Sequence, residues 1–290
     1  MRLSVSGGLL LSPSFFFPLL SMLIEPYLAL GLLLLGACTG FMAGLLGVGG
    51  GMLLVPFMTM LLSYQGVEGS LAVKMAIATS MATILFTSLS SIRAHHRRGA
   101  IRWDLVVGIA PGILIGGLIA GAGVFVLLKG TSLALFFALF VGFSATQMLF
   151  NRQPKSSRQM PATVGRWGVG ALIGMISGLV GAGGGFLSVP FMTWCNVPMH
   201  RAVATSAALG FPIALANTLG YVIGGWHLES HLLGSFGYLW MPGLLVVVSA
   251  SVLTAPWGAR VAHALDVAQL KKVFALMMYG LAAYMLGRAV

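Results

Sequence analysis

The sequence predicts an all-α polytopic membrane protein built from two homologous repeats, with eight long transmembrane helices and two short helices that start at glycine breaks. Three observations predict it: a shortage of charge, apolar runs of membrane-crossing length, and a glycine-rich motif that occurs twice. Of 290 residues, 58% are hydrophobic, 7% are charged and 40 are glycine. A soluble domain carries about a quarter charged residues, so too few are present here to coat a water-facing surface, and lipid must be the solvent for much of the chain. The glycines fit that reading, because small residues let helix backbones approach where no hydrophobic force drives them together.

The long apolar runs lie at about 26–47, 71–93, 104–128, 131–150, 166–182, 202–223, 239–258 and 268–287. Each is near the roughly 20 residues that a helix needs to cross hydrocarbon, and a helix satisfies its own backbone there. Two further apolar stretches, 52–63 and 186–196, are too short for a comfortable crossing, and both directly follow three glycines. Residues 1–25 read as an irregular lead-in, since Pro13 and Pro18 interrupt their apolar part. The remainder divides into a first repeat at 26–150, a basic linker at 151–167 and a second repeat at 168–290.

The duplication is direct to read. Gly40–Thr59 lies over Gly174–Thr193 with thirteen of twenty positions identical, including Gly49-Gly50-Gly51 over Gly183-Gly184-Gly185. Ala76-Ile-Ala-Thr-Ser80 then matches Ala202-Val-Ala-Thr-Ser206, Trp103 matches Trp240, and Leu133, Phe137, Ala138 and Leu139 match Leu270, Phe274, Ala275 and Leu276. The matches keep their order, so the whole unit is repeated.

Charge orients the halves. The formal charge of +11 is concentrated in short segments, His95-His96-Arg97-Arg98 and Arg152 to Arg166, which is the pattern of cytoplasmic loops and not that of a basic nucleic-acid-binding domain. If the chain turns back at each triple glycine, Arg260 to Lys272 also falls inside, and the two halves come out inverted relative to each other. If each interrupted segment crosses once instead, those cations fall outside. The turned-back arrangement obeys the charge rule better.

Interrupted helices at matching positions of two inverted halves point to a transporter's binding site. A helix break frees backbone N–H groups and exposes a positive dipole end, and glycine permits the turn and a close ligand approach. Helices starting after Gly49, Gly50 and Gly51, and after Gly183, Gly184 and Gly185, would therefore present N–H groups to an anion. The alternative is that these glycines only permit a tight turn. GVGGGM and GAGGGF do not complete a dinucleotide fingerprint and no strand precedes them, so no nucleotide or other cofactor is expected. All five acidic residues, Glu25, Glu68, Asp104, Glu229 and Asp266, lie at helix ends or in loops. A cation site or proton relay in mid-membrane would use carboxylates, so an anion or a neutral solute is favoured, and no metal site is expected.

Polar candidates also come in pairs. Thr79-Ser80 and Thr205-Ser206 are equivalent, and Asn217, aligned with Ser91, lies inside an apolar run. Hydroxyls in membrane helices often only bond back to the preceding turn, whereas a buried amide needs partners, either in the pathway or between helices. Lys74 and His200-Arg201, at equivalent helix starts, would draw an anion in or simply anchor at the interface. Gly170, Gly174 and Gly178, and Gly112 with Gly116, form small-residue rows suited to close helix packing.

The doubled G-x-x-x-G-x-x-G-x-G-G-G-x-x-x-x-P motif, followed in each half by Ala-Thr-Ser, resembles the sulfite exporter TauE/SafE (TSUP) family over residues 26–287, as does Arg98-Gly99-Ala-Ile-Arg-Trp103. The resemblance implies a bacterial cytoplasmic-membrane protein that moves sulfur-containing anions such as sulfite, sulfoacetate or other organosulfonates. The expectation is a secondary transporter and not an enzyme, with the bilayer, a small sulfur anion and, as a homodimer, a second copy of itself as partners. A passive anion channel is the competing reading.

Overall fold

The structure, a computed structural model, describes residues 26–46, 50–150, 158–228, 234–261 and 267–289. The lead-in, Gly49 and residues 151–157 of the linker lie outside these.

The described chain is helical almost throughout. Helix α1 is Pro26–Leu46, α2 Gly51–Tyr64, α3 Gly69–His96 and α4 Trp103–Ile119, which runs on through a π-helical turn, Ala120–Val124, to Phe125–Leu127. Helix α5 is Gly130–Leu149, α6 Thr163–Val180, α7 Gly185–Trp194, α8 Met199–Gly224, α9 Met241–Val261 and α10 Val267–Gly287. Seven helices, α1, α3, α4 through Leu127, α5, α6, α8 and α9, are long and apolar enough to cross a membrane. The eighth long helix expected, at 268–287, stands as α10, Val267–Gly287, of which Lys272–Gly287 is counted as a shorter apolar helix. One start is also corrected. Leu239–Trp240, expected in a helix, pairs with Ser235–Phe236 in a small antiparallel hairpin, and α9 begins after it.

A band of large apolar side chains faces outward, among them Leu34, Val107, Ile119, Leu139, Phe143 and Leu253. In a soluble protein so much exposed apolar surface would be a liability; around a membrane helix bundle it meets lipid. The interior holds α3 and α8, whose central residues Met75–Ile84 and Ala204–Gly210 are buried.

Helix contacts follow an exchange rule. Helix α1 packs on α9 and α6 packs on α4; α3 packs on α8, and α5 on α10. With α1–α5 matched to α6–α10, each of these four partnerships maps onto another or onto itself when the halves are swapped. The small-residue rows make the tightest of these. A Cβ at Gly112 or Gly116 would strike the backbone of Trp167 or Ala171, and one at Gly170 or Gly174 would strike that of Ile109 or Ile113. The α1–α9 pair has its own row: a Cβ at Gly40 or Gly258 would collide with the backbone of Ser251 or Phe41.

The equivalent helices α3 and α8 run antiparallel. Arg102, just past the end of α3, donates its N–H to Thr205 near the start of α8 at 3.0 Å, while Ser88 late in α3 faces Gly210 in the middle of α8.

Candidate functional site

Each glycine break turns the chain back. Gly50, which precedes α2, lies against the backbone of Thr39, about two turns back along α1; a straight continuation would place it some 16 Å away. Gly184, before α7, lies against Ser177 and Ile173 of α6. At the far end of α7, Trp194 accepts a hydrogen bond from the N–H of Arg158 at 3.3 Å, and the Arg158 guanidinium stacks 4.7 Å from the Trp194 ring. Arg158 precedes α6, so α6 and α7 leave from and return to one end of the molecule. They form a helical hairpin.

Backbone geometry explains the glycines. Gly50, Gly181 and Gly184 have φ of 65°, 73° and 74°, left-handed values that favour glycine. Neither α2 nor α7 has a side chain capping its start, and no hydrogen bond among the described residues takes the N–H of Gly185 or Phe186. The positive ends of both short helices are thus left to whatever occupies the breaks. The two breaks also meet: Gly51 packs on the carbonyl of Gly181, and Ser80 donates to that same oxygen at 3.0 Å.

Most hydroxyls in the bundle bond back to the preceding turn, as do Thr59 to Val55, Thr83 to Thr79 and Thr193 to Val189. The Ala-Thr-Ser residues do otherwise. Thr79 accepts the N–H of Trp240 at 3.1 Å, and Thr205 accepts that of Arg102 at 3.0 Å. Each threonine therefore holds the segment that leads into the third long helix of the opposite half. Ser206 receives a hydrogen bond from Ser188 at 2.8 Å. Ser188 stands where the first half has Leu54, so the repeat itself hid it as a candidate: a search for paired polar residues passes over an unpaired one.

A small cavity lies between the halves, lined by Ala43, Ile84, Thr87, Ser88 and Ser91 from the first and by Gly183, Ser206, Ala207 and Gly210 from the second. Its free space is about 10 Å³, room for about one water. Of the expected site residues it gathers Gly183 and Ser206. Asn217 is fully buried but stands elsewhere, its amide donating to Gly174 at 3.2 Å and Ile213 at 2.8 Å, with its Oδ1 unpartnered beside Gly178. There it joins α8 to α6, helped by Tyr221, whose hydroxyl donates to Gly178.

The basic candidates divide. The Lys74 ammonium donates to the Val126 carbonyl at 3.1 Å, at the end of α4, and faces the rings of Phe125 and Tyr238 at 5.7 and 5.5 Å. It caps exposed helix carbonyls at the negative dipole end. Burial pushes the Tyr238 phenol up from its ordinary value. His200 and Arg201 are exposed at the start of α8. Among the described residues no three His, Cys, Asp or Glu come together as metal ligands.

Comparison with known proteins agrees with a membrane transporter. Residues 32–285 match the family described as "Sulfite exporter TauE/SafE". A "Probable membrane transporter protein" of Haemophilus influenzae is 35% identical over 251 residues, covering 85% of this chain and 93% of that protein. A "Probable membrane transporter protein" of Methanocaldococcus jannaschii is 26% identical, covering 79% and 85%. Another from Xylella fastidiosa is 31% identical, covering 64% and 71%. No solved structure matches the chain.

Proposed function

Because the chain belongs to the sulfite exporter TauE/SafE family of membrane transporters, we propose that it is a secondary transporter of small sulfur-containing anions in a bacterial cytoplasmic membrane, working by alternating access. The observation that carries the reading is the meeting of the two glycine breaks, Gly51 against Gly181, with uncapped helix starts beside them. Paired broken helices are where carriers of this kind bind, and free N–H groups suit an anion. Thr79 and Thr205 act as the ties between halves, while Ser80 and Ser206 hold the breaks. Asn217 keeps α8 on α6 as the halves move, and Lys74, His200 and Arg201 supply the positive potential at the approaches.

The halves are inverted in this reading. The turned-back breaks leave three crossings in the first half, α3, α4 and α5, and an odd number delivers the chain to the opposite face for the second. The antiparallel course of α3 and α8 supports this, and α10 then crosses as the partner of α5. A cavity between the halves with room for only about one water fits a carrier between its open states better than an open channel.

Purified protein in liposomes tests the reading. Sulfite, thiosulfate, sulfoacetate and taurine are offered, with chloride, nitrate and sulfate as controls. Saturable uptake of one sulfur anion, accelerated when the same anion is loaded on the far side, is the expected result. Linear flux without counterflow would make the protein a passive channel, and no flux of any sulfur anion would remove the substrate assignment.

A further inference from the structure

Ser177 behaves unlike most hydroxyls of the bundle. Thr39, Thr59, Thr83, Ser144 and Thr193 each donate to the carbonyl four residues back. Ser177, in the last turn of α6, is 2% exposed, and its Oγ has no hydrogen-bond partner. A buried hydroxyl left alone is costly, although a serine within a helix can ordinarily bond to the preceding turn. Its backbone serves the break instead. The Ser177 carbonyl accepts the N–H groups of Gly181 at 2.9 Å and Ala182 at 3.2 Å, which ends α6 and begins the turn toward α7.

The free hydroxyl lies at the start of α7. Its Oγ is 3.1 Å from the place where a Cβ on Gly184 would stand, and a side chain at that residue would ordinarily cap the helix. With glycine there no cap exists, and the N–H groups of Gly185 and Phe186 have no partner among the described residues. Ser177 approaches them without bonding to either. The free space between the halves reaches this break at Gly183. Cδ1 of Ile213, on α8, also lies against Gly184, so the place is closed in this state and opens as that side chain turns away. Charge narrows the occupant. The start of a helix acts as about half a positive charge and favours an anion. No charged side chain is among the atoms nearest Gly181 or Gly184, and none lines the cavity. The cost of taking an ion out of water grows with the square of its charge, so half a charge and a few neutral donors suit a monoanion and not a dianion.

We infer that the start of α7 is the seat of a small, singly charged oxyanion, held by the Ser177 hydroxyl and the N–H groups of Gly185 and Phe186. The inference rests on the transporter reading and deepens it, giving the second break a selecting hydroxyl and the substrate a charge.

Methanesulfonate and sulfate test the charge, being alike in size and shape, with nitrate as a second monoanion. The full chain in detergent is titrated with each, and half-saturation is read from the rise in melting temperature. A monoanion should bind about tenfold or more tighter than sulfate. Ser177→Ala removes no side-chain hydrogen bond and copies Ala43, which holds the equivalent place in the first half, so it should melt no lower than the parent. It should nonetheless weaken the half-saturation about tenfold or more. Thr218→Val, which deletes another buried hydroxyl without a partner further along α8, should leave it unchanged. Should Ser177→Ala not fold, Ser177→Cys, a weak donor of similar size, takes its place with the same expected loss. Equal half-saturation in the Ser177 variant and the parent, an equal loss in the Ser177 and Thr218 variants, sulfate bound as tightly as methanesulfonate, or no stabilisation by any of the three would each overturn the seat. The transporter reading is decided apart from these, by sulfur-anion flux in liposomes. Nitrate bound through Ser177 without flux of any sulfur anion would leave the seat standing and remove the sulfur assignment.

Discussion

Thr79 and Thr205 show how one residue type serves the fold at two equivalent places to different extents. Each gives its oxygen to a backbone N–H of the other half, but Trp240 is 1% exposed whereas the bond to Arg102 is only partly buried. An orphaned buried N–H costs about 1–3 kcal/mol. Thr79→Val should therefore lower the melting temperature of the purified protein clearly, Thr205→Val less, and Thr79→Ser hardly at all. Equal effects from valine and serine at position 79 would mean that the methyl group, not the acceptor oxygen, is what counts. The pairing of these threonines was legible in the sequence from the repeated Ala-Thr-Ser. Their partners were not, because a backbone N–H a hundred or more residues away leaves no trace in local pattern. Ser188 was harder still, since Leu54 stands at its place in the other half.

Among the elements, the glycine rows decide how closely helices pack, and the close approach is selective. A methyl at Gly112 would meet the Trp167 backbone, whereas one at Gly142 on α5 would meet nothing within 4 Å. Overpacking costs about 1–3 kcal/mol, so Gly112→Ala should depress thermal stability in detergent and Gly142→Ala should leave it level or raise it. If both behave alike, the α4–α6 seam is looser than described. These elements were readable in advance where length and hydrophobicity alone define them, as with α1, α3 and α8. The π-helical turn Ala120–Val124 was not, because its cause is tertiary: Gly220 of α8 presses on Ala122 and Gly121 there, and α4 adjusts its winding locally to meet it. The hairpin before α9 was missed for a related reason. Leu239 and Trp240 are apolar enough to extend a helix, yet Thr79 and the paired strand fix them otherwise.

For the whole molecule, opposed orientation of the halves has a direct readout. In a background free of Cys38 and Cys195, Arg97→Cys and Pro198→Cys should react with an impermeant reagent from one side of the membrane, and Phe236→Cys from the other. Labelling of Arg97→Cys and Phe236→Cys from the same side would exclude the inverted arrangement. A two-fold relation of that kind would by itself make the inward-open and outward-open forms near copies of one another, each obtained by exchanging the roles of the halves. Gly210 opposite Ile84 spoils the copy. With Met81 opposite Ala207 and Leu54 opposite Ser188 as well, the two forms differ in how their centres pack, so the unloaded protein has a preferred resting face. Net flux at equilibrium is untouched by such a preference, but the concentration needed for half-maximal rate would differ between the two sides of the membrane. A carrier built from matched halves would in this way acquire a front and a back through a few side chains at its centre.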